Sequence, residues 1–429
     1  MKKAILILLV FPFITKAQNF VYDVQLKEVS FAGSGYLSIK QDDGSGAYSA
    51  VHWNNTGTKK PVAYKSGFKP NVTARIVFTC SSAPSEILVK AIAFDTFTFA
   101  QQNCALTASG GTYTATYTAT DCDLAFRANK VDYFQSFDID WLVSFDGGTT
   151  WRNAGMSSNP LYVSWHAPVN ENAWMGYEWF ETLFFLSCKN AAGQTDEDSI
   201  IARVWDEFID NEVSRVDGTP LAYYKHIIEA NYQTSQLLAD AEGQCYCFAR
   251  LFMDLLKIQG ISRTNNYLNI AADGTPSSCG SITRFLVKDW AFHTPMDSMG
   301  CTDLPWRDVS GTDLYTGDTS YLFDYTEVTD ELGVKGQHAQ NPSSLFNNHQ
   351  IILIDGVYYD PSYGLKYNTI DEIRTVALSG WANRTTSNEA AEGIDVNGDS
   401  ALSAGVSAYR FRITNDVMFA NFDVVIDTY

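Results

Sequence analysis

Charge is scarce in this chain. Only 18% of its 429 residues are charged, and 30 Lys and Arg face 49 Asp and Glu, for a formal net charge of −19. So acidic a chain is not drawn to nucleic acid or to an anionic membrane surface, and neither is expected as a partner. Long apolar runs are missing as well. The longest candidate, residues 4–14 of MKKAILILLVFPFITKAQ, is too short to span a bilayer. With Lys2 and Lys3 before it and Ala17 after it, the segment reads as a signal peptide over residues 1–17, removed on export. Its removal takes away Lys2, Lys3 and Lys16 and brings the charge to about −22 (−19 minus 3). No Cys sits at the cut, so a lipid anchor is not indicated, and the mature chain is expected to be secreted or periplasmic. No internal repeat and no long linker interrupt it. Histidine is sparse too: His52, His166, His226, His293, His338 and His349 are the only imidazoles.

Apolar and aromatic residues are plentiful, at 45% and 14%, enough for a large core, and the length favours two domains over one. Residues 18–170 are strand-like. Segments such as ARIVFT, EILVKAIAF, GTYTATYTA and FDIDWLVSF are separated by the turn signals DDGSG, SGG and DGG. This pattern predicts an N-terminal all-β, antiparallel sandwich, with a hairpin at Asp146-Gly147-Gly148. Residues 171–385 change character. TDEDSIIARVWDEFIDNEV predicts a helix with Thr195 as N-cap and Ile200, Ile201, Val204 and Phe208 on one face. A second helix is expected over residues 244–259, ending at Gly260. Strands follow, so this domain is expected to be α+β, with a C-terminal β segment, residues 386–429, packed on it.

Eight cysteines in an exported chain favour disulfides. Cys104 and Cys122 flank a hairpin-like segment and Cys279 and Cys301 bracket one short region, so Cys104–Cys122 and Cys279–Cys301 are the expected pairs. Cys80, Cys188, Cys245 and Cys247 remain.

The last two lie in AEGQCYCFARLFMDLLKIQGI, at the start of the second helix. Unpaired amide groups and the positive end of the helix dipole stabilise a thiolate at such a position, which marks Cys245 as a candidate nucleophile. Two residues along a helix is about 200° of rotation, so Cys247 points away, either into the core or to a disulfide partner such as Cys188. The pair cannot share a metal ion. A thiolate needs a histidine base and a group to orient it. His349, in FNNHQIILIDGVYYDPSYG, is followed by two strands joined at Asp355-Gly356, a tight-turn signal. That turn pairs Ile354 with Val357, Leu353 with Tyr358 and Ile352 with Tyr359. Asp360 then shares a face with His349 as a diagonal neighbour, within reach of an imidazole.

GQCYCFARLFMDLLKIQGISR resembles the nucleophile helix of the transglutaminase-like superfamily in its Gly243, Gln244, Cys245, aromatic Tyr246, Phe248, Ala249, Gly260, Ile261 and Arg263. His349 at a strand start and Asp360-Pro361 on the next strand complete the likeness, which covers roughly residues 175 to 385. Tyr246 stands where animal transglutaminases have Trp, and Gln350 where Ala or Val is common. The resemblance implies a papain-like site of Cys245, His349 and Asp360 acting on a protein or peptide amide, resolved by water or by an amine, with no cofactor. The Cys245 amide would supply part of an oxyanion hole, with Gln244 as a candidate second donor.

Other signals compete. Asp395, Asn397 and Asp399 open an EF-hand-like stretch, but Ser400 and Val406 replace the loop's Gly and Glu, so an Asx-rich turn is expected rather than a Ca2+ site. His293 is a reserve base, His338 is expected to face solvent, and His52 is expected to be structural. A second class of function is a secreted binding or adhesion protein whose second half is a degenerate scaffold.

Overall fold

The computed structural model describes residues 21–382, with short gaps and longer ones at 170–178, 224–232, 288–324, 328–333 and 340–344, and also the strands Phe411–Ile413 and Phe422–Asp427. The signal peptide, His226, His293, Cys279, Cys301, Asp395, Asn397 and Asp399 lie outside the described residues.

Two sheets face each other across the N-terminal core. One has the order β3 (Trp53–Asn54), β1 (Val21–Ala32), β5 (Asn71–Cys80), β9 (Thr112–Ala119), β8 (Leu106–Ser109). The other runs β2 (Tyr36–Leu37), β4 (Val62–Lys65), β11 (Arg152–Ser164), β10 (Asp132–Ser144), β6 (Ile87–Ala93), β7 (Phe97–Cys104). Period-2 alternation decides which side is buried. Val72, Ala74, Ile76 and Phe78 of β5 and Ile87, Val89, Ala91 and Ala93 of β6 point inward, meeting Tyr117, Phe137 and Trp141 in one cluster. The expected purely antiparallel arrangement fails at one pair: β4 and β11 are parallel. The chain leaves β4 for β5 in the opposite sheet, and β11 returns beside β4 in the same direction.

The hairpin at Asp146 is present. Its carboxylate accepts hydrogen bonds from the Thr150 amide (2.8 Å) and hydroxyl (2.7 Å), while Gly147 and Gly148 take the positive φ the turn requires. The expected Cys104–Cys122 disulfide is absent. Cys122 bridges to Phe99, five residues before Cys104 on β7. That is roughly 16 Å of extended chain, against a Cα separation limit of about 7 Å for a disulfide.

Four helices of the described residues build the second half: α1 (Glu181–Asn190), α2 (Glu197–Trp205), α3 (Thr234–Asp240) and α4 (Cys245–Ile258). The α2 N-cap is Asp196 rather than Thr195, because the Asp196 carboxylate accepts from the Ser199 amide at 3.0 Å. Helix α4 is central. Phe248, Leu251, Phe252, Met253, Leu255 and Leu256 are all buried, each contributing about 1.5–3 kcal/mol of hydrophobic stabilisation. Trp205 packs edge to face on Phe252 of α4 and on Tyr359. Against α4 lies an antiparallel sheet of five strands, in the order Leu365–Tyr367, Val357–Asp360, Asn348–Ile354, Tyr267–Ala272, Phe422–Asp427. The two halves share a core. Tyr162 of β11 stacks on Phe184 of α1 at 6.1 Å, and Asp42 caps α1 through the Thr182 amide and hydroxyl. Among the described residues no helix is long and apolar enough to cross a membrane.

Gly260 ends α4 as expected. The amides of Gly260 and Ile261 bond back to Lys257 and Leu256, the Schellman pattern, at φ +79°. A Cβ there would lie 2.6 Å from His166 Cβ and 2.8 Å from the Ala167 carbonyl oxygen. Gly260→Ala is therefore expected to destabilise the fold by about 2 kcal/mol or more, read by urea denaturation. A loss below about 0.5 kcal/mol would show that the junction between β11 and α4 can relax.

Candidate functional site

The nucleophile candidate owes its place to backbone geometry at the α4 start. Gln244 is the N-cap in extended conformation, its carbonyl accepting from the Cys247 amide at 2.9 Å, so Cys245 occupies the first helical position. Cys245 is 2% exposed. Cys247 turns the other way and is fully buried against Gly243, where a Cβ would meet its Sγ at 2.9 Å. Burial pushes the Cys247 thiol up to about 12, and the Cys188 thiol likewise to about 12. No disulfide joins them. Cys188 instead accepts a hydrogen bond from Gln259 at 3.5 Å. Of the alternatives for Cys247, the core position is the one observed.

The hairpin has the expected register: Ile352 pairs with Tyr359, Leu353 with Tyr358 and Ile354 with Val357. Asp355 (φ +49°) and Gly356 (φ +84°) make the turn, whose two positive φ values explain the Asp-Gly sequence. That register puts His349 and Asp360 together: His349 Nε2–H donates to Asp360 Oδ2 at 2.8 Å. With Nε2 turned to Asp360, Nδ1 is the ring nitrogen left to face other groups, and Cys245 at the start of α4 lies close enough to act on the ring. This is the reverse of the serine-protease arrangement, in which the carboxylate holds Nδ1.

All three side chains sit in a nearly dry environment; His349 is 3% and Asp360 1% exposed. Burial alone pushes the imidazole down, but Asp360, by charge and hydrogen bond, and then Cys245 outweigh it and raise His349 to about 10. At neutral pH the ring is therefore imidazolium. The arrangement can hold a thiolate beside a proton donor, with a helix N-terminus behind the sulfur.

Several contributors were not visible in the sequence. Tyr363 stacks on His349 with ring centroids 5.0 Å apart, and the Tyr367 hydroxyl points at Asp360 Oδ2 from 3.5 Å. Both follow Asp360 in DPSYGLKY, and their recurrence after Asp-Pro was the available signal. Asn348 Nδ2 donates to the Tyr246 hydroxyl at 3.3 Å, tying the residue before His349 to the residue after Cys245. Gln350 is buried and donates to Asn269 Oδ1. Gln244 is half-buried beside Cys245.

The other histidines are elsewhere. His52 is buried in the sandwich, accepting from the Phe31 amide through Nδ1, with Nε2 against the Tyr36 hydroxyl; burial, and then the Lys60 charge, push it down to about 4. His338 does not simply face solvent: it is half-buried and contacts Ser214 Oγ at 3.2 Å. Among the described residues no group of three or more His, Cys, Asp or Glu is placed to hold a metal ion. Compared with known protein families and with curated proteins, the chain matches none.

Proposed function

We propose that this chain is an exported, cysteine-dependent acyl-transfer enzyme whose second half is an α+β domain of transglutaminase-like, papain-like type. One observation carries the reading: Cys245, at the first position of α4, adjoins a buried His349 that donates through Nε2 to Asp360 at 2.8 Å. The substrate class is a protein or peptide amide, and no cofactor takes part.

In the proposed reaction the Cys245 sulfur attacks the amide carbonyl, and an S–C bond forms as the carbonyl becomes an oxyanion. The Cys245 amide, which has no partner within the helix at this first position, faces that oxyanion. The oxyanion collapses, the C–N bond breaks, and His349 passes its Nδ1 proton to the leaving amine. Asp360 keeps the ring oriented and offsets its charge. Water or a primary amine then attacks the thioester, returning a proton to His349 as the C–S bond breaks and the sulfur leaves as thiolate, which restores the thiolate–imidazolium pair. Water completes a hydrolysis and an amine a transamidation; we favour hydrolysis.

The narrow access to Cys245 calls for a small probe. Iodoacetamide labelling, followed peptide by peptide in a mass spectrometer, is expected to modify Cys245 faster than Cys188 or Cys247. The rate should fall at least about tenfold in His349→Ala. Equal rates before and after that substitution would remove the enzyme reading and leave a secreted binding protein on a degenerate scaffold. A glutamine peptide offered with a primary amine then separates transfer from hydrolysis by product mass.

A further inference from the structure

We infer that Tyr363 is a positioning residue for His349, its ring face fixing the plane of the imidazole and favouring the protonated ring. The inference rests, for its use in catalysis, on the proposed cysteine chemistry. The two rings are inclined by 27° with centroids 5.0 Å apart, an offset stack, and Tyr363 is 2% exposed. A cation over a desolvated aromatic face is held by the ring quadrupole, and a neutral imidazole much less so.

Tyr363 is itself built into place. Tyr223 meets it edge-on (5.4 Å, 87°), its hydroxyl 3.5 Å from that of Tyr363, and turns its ring against Phe248 of α4. The turn carrying Tyr363 is tied down by Gln337, whose side chain donates to the Pro361 carbonyl at 2.9 Å and whose amide donates to the Ser362 carbonyl at 3.0 Å. Gly364, at φ +65°, lets the turn pass the Phe208 carbonyl, which a Cβ would meet at 2.3 Å. Such support is more than is needed to fill space beside a histidine. The titratable groups that face or adjoin the ring are Cys245 from α4 and Asp360, Tyr363 and Tyr367 from the hairpin and the turn after it. Tyr363 alone of these lies against the ring face.

The test titrates His349 directly by NMR in the full chain, alongside iodoacetamide labelling of Cys245 over pH. Tyr363→Phe keeps the ring and should leave both within about twofold of the parent. Tyr363→Leu removes it and should lower the His349 midpoint by about one pH unit, with the Cys245 labelling profile moving the same way. Replacing Tyr363 by trifluorophenylalanine keeps shape while weakening the ring face, so it reads the same effect if the Leu variant does not fold; an intermediate shift is expected. A purely structural role predicts a lower Tm with no shift in either titration, and that result would overturn the inference. The His349→Ala control keeps the two proposals apart. If it leaves Cys245 labelling unchanged, the cysteine chemistry fails, and the NMR midpoints still decide the role of Tyr363.

Discussion

Asp360→Asn is expected to cost the fold about 3 kcal/mol or more at pH 6 and much less near pH 10. The parent buries an imidazolium against a carboxylate, and the second carboxylate oxygen, Oδ1, has no hydrogen-bond partner among the described residues. His349 is therefore the group that compensates that charge. The sign follows from the raised histidine. An unfolded imidazole titrates near 6.5 and the folded one at about 10. The pair's contribution is fully present below about pH 6.5 and is lost as pH rises through about 10. In the Asn variant burial still disfavours the charged ring and only Cys245 remains to offset it, so most of the stabilisation that protonation brings at low pH is lost. The two stability curves should diverge towards acid and converge towards alkali. Urea denaturation of both proteins at pH 6, 8 and 10 checks this. A gap that stays constant across that range would mean that His349 is neutral in the parent.

This pair was legible from residue order because everything that sets it is local. An Asp-Gly turn fixes which residue faces which, and period-2 alternation does the rest. Cys245 was legible for a similar reason, since an apolar periodicity that begins at residue 245 and stops at Gly260 marks its own ends. Features set by distant partners were not. Helix α1, ETLFFLSCKN, is buried on most sides and has no cap in its own sequence; its N-terminal amide is held by Asp42, 140 residues away. Whether Cys104 and Cys122 can bond depends on where β7 and the Cys122 bridge line up, and no short-range pattern reports that. Parallel pairing of β4 with β11 is hidden for the same reason: it joins segments separated by six strands, three in each sheet. Tyr363 carries no period at all. Its role comes from a turn whose course is set from outside.

The group that sets that course gives the largest expected effect outside the three candidate site residues. Gln337 lies in GQHAQNPSS beside the half-buried His338 and is itself completely buried. Its Nε2 donates to the carbonyls of Phe208 and Pro361, both at 2.9 Å, and its Oε1 accepts from the Val213 amide at 3.3 Å. Its own backbone bonds Ser362 and Tyr223. One residue thus joins, by its side chain, the segment after α2 and the turn after Asp360 and, by its backbone, the segment before α3. Gln337→Leu keeps the volume but leaves three buried backbone groups without that partner, at roughly 1–3 kcal/mol each. The expected loss is about 4 kcal/mol in urea denaturation. Gln337→Glu should fare no better, because it keeps an acceptor for Val213 while losing both donated bonds and burying a charge. If Gln337→Leu costs less than about 1 kcal/mol, the turn after Asp360 is held by its own packing, and the support described for Tyr363 must come from Tyr223 and Gly364 instead.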